Sequence, residues 1–226
     1  MPYRTTRFIN GGFYHIFNRG IRKLPTFDTK KDYSHFLDTL FYYQIENPKP
    51  KFSTYRISKV FPIDQNKKMV DILCYCLMPN HFYLLVRQTR NGGISEFIRR
   101  FIHSYTKYRN VKYDFQGPVF QGMFKAVAVE TDEQLLHLSR YIHLNPFVAS
   151  LTDNPELYKW SSYSDYLKGG VSQVNTKEIL SFFDTSNSYN SFAVEAENYK
   201  SFVNDHKEYG LTLGILKHIA LDEDSN

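Results

Sequence analysis

The chain has 226 residues, of which 42% are hydrophobic and 23% charged, a composition typical of a globular protein and unlike a disordered or collagen-like chain. No stretch approaches the roughly 20 consecutive apolar residues of a membrane span, and the first residues lack the apolar segment of a secretion signal, so we expect a cytoplasmic protein with no membrane partner. A formal charge of +5 with 17% aromatic residues suits nucleic-acid binding, although a large aromatic core would give the same composition.

The first third of the chain contains one clear strand and one clear helix. Residues 13–19 alternate between apolar and polar and stop at a glycine, which predicts a strand. Apolar residues at helical spacing predict a helix over 31–46, which ends before an Asn-Pro pair. The following segment, 48–68, is rich in proline and lysine and is predicted as a loop with a short strand near 54–60.

The middle of the chain continues with two strands, a helix, a strand and a helix. Runs at 70–77 and 81–87 are separated by Met-Pro-Asn and predict a hairpin. A Gly-Gly pair then precedes a predicted helix over 94–109, and a strand over 124–130 leads into a helix over 132–144.

The ends of this last helix are signalled by its flanking residues. Thr131 or Asp132 can cap its first turn, and we expect Pro146 to end it. The resulting order, β-α-β-β-α-β-α, predicts an α+β fold of the ferredoxin-like type, with an antiparallel sheet and helices packed on one face.

Charge is distributed unevenly along the chain. Residues 1–170 contain 24 Lys and Arg against 14 Asp and Glu, whereas residues 171–226 contain 4 against 9. With a Gly-Gly loop signal at the junction, this predicts a basic main domain over 1–170 and a small helical, acidic C-terminal extension over 171–226. Short helices are expected near 177–183 and 193–208, before an acidic end at 222–226.

Two groups of polar residues are candidates for chemistry. His81 and Tyr83 alternate on one strand and therefore point to the same face. Tyr141 and Asn145 lie four residues apart on a helix and share a face, whereas His143 points away from Tyr141. The spacing by itself leaves open that the histidine is a hydrogen-bonded structural residue and the tyrosine a core residue.

Four motifs occur in order over about residues 10–165, and they are Tyr14-His-Ile-Phe-Asn-Arg-Gly20, Tyr75-Cys-Leu-Met-Pro-Asn-His-Phe-Tyr-Leu-Leu-Val86, Gly117-Pro-Val-Phe-Gln-Gly-Met-Phe-Lys125 and Tyr141-Ile-His-Leu-Asn-Pro146. Together they resemble the single-tyrosine HUH transposases of insertion sequences, and they are most similar to the branch of REP-associated tyrosine transposases. The resemblance implies a ferredoxin-like HUH nuclease core that binds single-stranded or hairpin DNA in a bacterial or archaeal cell, close to the nucleoid when bound. The oligomeric state that it implies is a monomer or a homodimer.

The resemblance also implies a set of catalytic residues. Tyr141 matches the nucleophile, which forms a 5′-phosphotyrosine link and releases a 3′-OH for later rejoining. His81 and Asn145 match ligands of Mg²⁺ or Mn²⁺. Tyr83 stands where the family has a second histidine, and a phenol is a poor ligand for a divalent ion, so we expect a weakened metal site. A domesticated module that binds structured DNA without cutting it is therefore the alternative, and a basic protein-interaction domain is a third possibility.

Several cations and one amide are candidates for contacting DNA. Asn18 and Arg19 resemble family positions near the DNA, and Lys125 lies in a motif where Met123 replaces a usual arginine. Over residues 87–112 seven cations face a single acid, Glu96, which indicates a surface for phosphates, while a solvated helix face is the structural alternative. The seven cations are Arg87, Arg90, Arg99, Arg100, Lys107, Arg109 and Lys112.

Overall fold

The computed structural model describes residues 6–58, 64, 66–170, 172–184 and 191–207. The chain divides into two compact units. The first comprises residues 1–72 and 77–130, and the second comprises Leu73–Cys76 and residues 131–226. Within the part that the structure describes, no helix is both long and apolar enough to cross a membrane.

Among the described residues, the first unit contains four strands and three α-helices. In chain order these elements are β1 (Phe13–Arg19), α1 (Lys30–Tyr43), α2 (Phe52–Ser58), β2 (Val70–Met78), β3 (His81–Gln88), α3 (Gly93–Tyr113) and β4 (Lys125–Val129). The strand order in the sheet is β2-β3-β1-β4, and β1 pairs antiparallel with both β3 and β4. The predicted α+β, ferredoxin-like arrangement with an antiparallel sheet is confirmed.

The core of the first unit is aromatic and lies on one face of the sheet. Phe82 of β3 packs against Phe36 of α1 and Phe101 of α3, and all three side chains are fully buried. Tyr105 meets Phe36 edge-on with ring centroids 5.0 Å apart. Aromatic pairs of this geometry contribute roughly 0.5–1.5 kcal/mol each beyond the buried area. Much of the aromatic content is therefore core.

The segment between α1 and β2 differs from the prediction. The strand expected near 54–60 is instead helix α2, although residues 59 and 60 lie outside the described residues. Phe52 anchors this helix, because its ring packs on His35 and Tyr42 of α1. Contacts with α1 thus outweigh the β-branched and aromatic residues that favour a strand here.

Helix α3 continues one turn beyond the predicted end at Arg109. It ends at Tyr113, where Asp114 adopts a left-handed conformation with φ of 47°. The extra turn carries Lys112 and Tyr113, whose side chains both donate to the Asp32 carboxylate of α1, at 2.6 and 2.7 Å. Tertiary contacts therefore determine where this helix ends.

The second unit is helical. Its helices are α4 (Asp132–Val148), α5 (Tyr163–Lys168), α6 (Lys177–Leu180) and α7 (Ser191–Asn204), with a 3₁₀ turn over Ser181–Phe183. Helix α7 packs against α4, α5 and α6. The structure therefore does not divide at residue 170 as predicted, because the C-terminal helices pack into the same unit as α4. The predicted acidic end at 222–226 lies outside the described residues.

The residues that flank α4 predict where the helix begins but not where it ends. Thr131 caps the helix as predicted, with its hydroxyl accepting a hydrogen bond from the Gln134 amide at 3.2 Å. The predicted end before Pro146 is wrong, since the helix runs to Val148 and the Ala149 amide donates to the Asn145 carbonyl at 2.9 Å. A proline in the last turn removes one helical hydrogen bond, but its fixed φ still fits a helix.

Candidate active site

His81 and Tyr83 lie on the face of the sheet opposite the aromatic core. Burial alternates along the start of β3, so that His81 and Tyr83 are half-buried while Phe82 points into the core. The strand register places Arg19 beside His81, and Phe17 beside Tyr83. Phe17 also pairs with Lys125 of β4, so Lys125 belongs to the same face. This face thus carries the predicted histidine with two of the predicted DNA-binding cations.

Asn80 fixes the orientation and the protonation of the His81 ring. The Asn80 amide nitrogen donates to the Lys23 carbonyl at 3.0 Å, so its Oδ1 faces His81 Nδ1 at 2.6 Å. Burial, reinforced by the positive charge of Arg19, lowers the pKa of His81 to about 4. At neutral pH the ring is therefore uncharged, with the proton on Nδ1 and the lone pair on Nε2.

Tyr83 occupies a position between two imidazole rings. Its ring stacks on His15 of β1 with centroids 5.6 Å apart, and it meets the His81 ring edge-on at 4.9 Å. These contacts place the Tyr83 ring among aromatic side chains.

The residues on this face do not fit a metal centre of their own. The described residues contain no group of three or more His, Cys, Asp and Glu side chains that could hold a metal ion. At the positions implied by the resemblance, only His81 offers a strong nitrogen ligand, and Tyr83 offers a phenol that binds divalent ions poorly at neutral pH.

Tyr141 and Asn145 lie on α4, in the second unit. Tyr141 is half-buried, and its backbone carbonyl accepts a hydrogen bond from the Asn145 amide nitrogen at 2.9 Å. This contact confirms that the two residues are adjacent on the helix. It also orients the Asn145 side chain, because the bonded amide nitrogen turns Oδ1 the other way.

His143 is buried on the opposite side of α4, as the spacing predicted. Its Nδ1 lies 2.8 Å from the Tyr199 hydroxyl and its Nε2 lies 2.8 Å from the Ser162 hydroxyl. Burial lowers its pKa to about 3. His143 therefore connects α4 to α7 and to the start of α5 as a structural residue. Sequence spacing predicted that it points away from Tyr141 but did not identify these partners.

Most of the predicted basic surface over residues 87–112 is paired with acids. Five of the seven cations form ion pairs within the first unit: Arg87 with Asp71, Arg90 with Glu46 and Glu96, Arg100 with Glu96, Arg109 with Asp28, and Lys112 with Asp32. The other two, Arg99 and Lys107, are exposed on the outer side of α3. Since α3 packs on the core face of the sheet, this basic helix is on the other side from His81 and Tyr83.

Asp32 is the centre of the largest of these polar clusters. Its carboxylate is fully buried and accepts hydrogen bonds from Tyr108, Lys112 and Tyr113, besides the amide and hydroxyl of Thr29. Burial opposes ionisation of this carboxyl, but the hydrogen bonds outweigh it and hold its pKa well below the usual range. Tyr108 and Tyr113 thus hold α3 against α1.

Asn18 differs from the other predicted DNA-binding residues because it points towards the core. It is 7% exposed, and its side-chain oxygen accepts a hydrogen bond from the Arg19 amide at 2.8 Å. Such burial leaves little of the side chain for contact with DNA. The amide instead stabilises the end of β1, where Arg19 begins the connection to the next segment.

Comparisons with known proteins bear on these positions. The family model described as "Transposase IS200 like" matches residues 51–145. The predicted resemblance to the IS200-like transposases is confirmed. The matched region includes His81, Tyr83 and Tyr141 and ends at Asn145, so it contains both groups of candidate residues.

A solved structure has a similar fold. It is described as a REP-associated tyrosine transposase bound to a REP hairpin, with a TM-score of 0.50 and 12% sequence identity. The similarity covers 84% of this chain and 96% of the other. No curated protein matches the sequence.

Proposed function

We propose that this protein binds single-stranded or hairpin DNA and cleaves and rejoins one strand through Tyr141. The observation that carries the proposal is the family match, which includes His81 on its strand and Tyr141 on its helix. The similar solved transposase is bound to a hairpin, which supports hairpin DNA as the substrate class.

The proposed reaction is a transesterification at phosphorus. The Tyr141 hydroxyl oxygen attacks the scissile phosphorus and loses its proton, while the bond from phosphorus to the 3′ oxygen breaks. The departing oxygen takes up a proton and becomes a free 3′-OH, and the 5′ end of the DNA stays linked to the tyrosine. Because one phosphate diester replaces another, the reverse reaction can rejoin strands without ATP.

The electrostatics of the β1–β3 face support binding of a phosphate. Arg19 and Lys125 place two positive charges on the same face as His81. The uncharged His81 ring has its Nε2 lone pair available to accept a proton. Cations beside a phosphate offset the negative charge that develops in the transition state.

A second candidate function is binding without cleavage. Tyr83 favours it, because a phenol replaces the second imidazole of the family and the described residues do not make up a metal centre. In this case the protein would recognise structured DNA and leave it intact.

A labelled DNA hairpin with single-stranded flanks separates the two candidates. We expect a covalent protein–DNA adduct, visible in a denaturing gel with Mg²⁺ or Mn²⁺, that is lost in Tyr141→Phe and kept in the control Tyr158→Phe on the same unit. EDTA measures how far the reaction depends on a metal.

The other outcomes are equally informative. An adduct that appears only after Tyr83→His, with tight binding by the unchanged protein, supports the second candidate. Absence of binding to any hairpin or single strand at low salt contradicts both.

A further inference from the structure

Arg22 and Lys23 carry charges that no acid among the described residues neutralises. Both side chains are exposed, and among the described residues neither forms an ion pair or a side-chain hydrogen bond. They follow β1 directly, in a 3₁₀ turn over Ile21–Lys23. In this respect they differ from most of the basic residues of 87–112, whose charges are balanced within the fold.

The backbone of this turn is unfavourable for the residues that form it. Arg22 and Lys23 have φ angles of 54° and 61°, in the left-handed region. For residues with a Cβ this region costs roughly 1–2 kcal/mol each, whereas Gly and Asn adopt it readily. Glycine or asparagine at these two positions would therefore make the folded protein more stable than the two cations do. Backbone strain of this kind is concentrated at functional sites.

The turn is fixed to the residue that holds His81. The Gly20 amide donates to the Asn80 carbonyl at 2.7 Å, and the Asn80 side chain donates to the Lys23 carbonyl at 3.0 Å. The same side chain contacts His81 Nδ1 at 2.6 Å. One residue thus sets both the cationic turn and the imidazole ring.

A further contact ties the turn to the segment before β4. The Ile21 amide donates to the Val119 carbonyl at 3.0 Å, and the Gln121 amide donates to the Arg19 carbonyl at 2.7 Å. Two strongly basic side chains therefore project from a backbone that is bonded on both sides, at the end of the sheet where His81 begins β3.

We propose that Arg22 and Lys23 form a phosphate-binding site that seats a phosphodiester of the DNA backbone next to His81. The proposal rests on the proposed function, since it assumes that the protein binds DNA. Two cations on adjacent residues of a fixed turn attract a phosphate without the entropy cost of ordering a flexible loop. Arg19 adds a third positive charge at this end of the sheet.

The test uses the full chain with the double substitution Arg22→Asn and Lys23→Asn. Asparagine tolerates the left-handed backbone, so the substitution removes both charges without added backbone strain. The matched control is Lys30→Asn with Lys31→Asn, two adjacent exposed lysines at the start of α1. The two double variants have the same net charge.

Hairpin binding is measured as a function of salt. Each phosphate contact adds about 0.7 to 0.9 to the slope of log K against log salt concentration. Because the two cations share one phosphate, we expect the Arg22 and Lys23 variant to lose about 0.7 to 0.9 of this slope and the control to keep the wild-type slope. The free energy of unfolding of the Arg22 and Lys23 variant should stay the same or increase. An unchanged slope in that variant, or an equal loss in the control, overturns the proposal.

Two further arms identify the ligand and separate this proposal from the proposed function. Inorganic phosphate and an oligonucleotide are compared as competitors of the hairpin at equal concentrations of phosphate groups. If both displace the hairpin from the wild type equally, the site binds free phosphate and the assignment to DNA is wrong. If the wild type binds no DNA, the proposed function fails. If the wild type binds DNA and forms the Tyr141 adduct while the double variant behaves identically, only the phosphate site fails.

Discussion

The buried His143 ring predicts that the protein loses stability as the pH falls below neutrality. Its pKa is lowered to about 3 by burial, whereas a histidine in an unfolded chain has a pKa of about 6.5. Between these values the unfolded state binds a proton that the folded state excludes. The contribution of His143 to the free energy of unfolding therefore decreases as the pH falls from 6.5 towards 3.

The loss of stability at a given pH follows from how far that pH lies below the pKa of histidine in the unfolded chain. At about pH 5 the unfolded chain is 1.5 pH units below its pKa, and each unit is worth about 1.36 kcal/mol, so His143 costs about 2 kcal/mol of stability. His35 and His81 also have a pKa lowered to about 4, so the whole chain should lose more than this.

Urea denaturation at about pH 7 and pH 5 measures the effect. Between these two pH values, we expect the free energy of unfolding of His143→Gln to fall by about 2 kcal/mol less than that of the wild type. His103→Gln, an exposed substitution on α3, is the matched control variant. Since the comparison is a difference between pH values, any loss of stability common to both does not affect it. Equal pH dependence of His143→Gln and wild type, or titration of the His143 ring between pH 5 and 7 in the NMR spectrum of the folded protein, would refute the reasoning.

Three further substitutions test other contacts. Asp32→Asn leaves Lys112 without its buried partner, so the free energy of unfolding should fall by about 2–4 kcal/mol in urea denaturation, and a loss below about 1 kcal/mol contradicts the role of this cluster. In Gly20→Ala the added methyl group would overlap a carbonyl oxygen of the same turn, so both the Tm and hairpin affinity should fall, and an unchanged Tm argues against this geometry. Asn80→Asp places a carboxylate at His81 Nδ1 and should raise the pKa of His81 above about 4 in an NMR titration, and an unchanged pKa means that the two side chains are not in contact.

Except for α2, local sequence patterns were sufficient for the order of the elements in the first unit and for the faces of the strands. Alternation along β3 predicted that His81 and Tyr83 share a face, because side chains on a strand point to opposite sides in turn. Helical spacing likewise predicted that Tyr141 and Asn145 are adjacent and that His143 points away. These are relations between residues a few positions apart, and they hold wherever the element packs.

Local patterns did not predict how the charged residues pair, because their partners are distant in sequence. The basic character of residues 87–112 is plain in the sequence, but Arg109 is neutralised by Asp28 and Lys112 by Asp32, about 80 positions earlier in the chain. The helical state of α2 and the left-handed turn at Arg22 and Lys23 also depend on contacts with other elements. Short-range periodicity thus determined most of the strands and helices of this protein, with the exception of α2. Only the tertiary structure decided which of the described cations are paired with acids, because an ion pair depends on distance in space and not on separation in sequence.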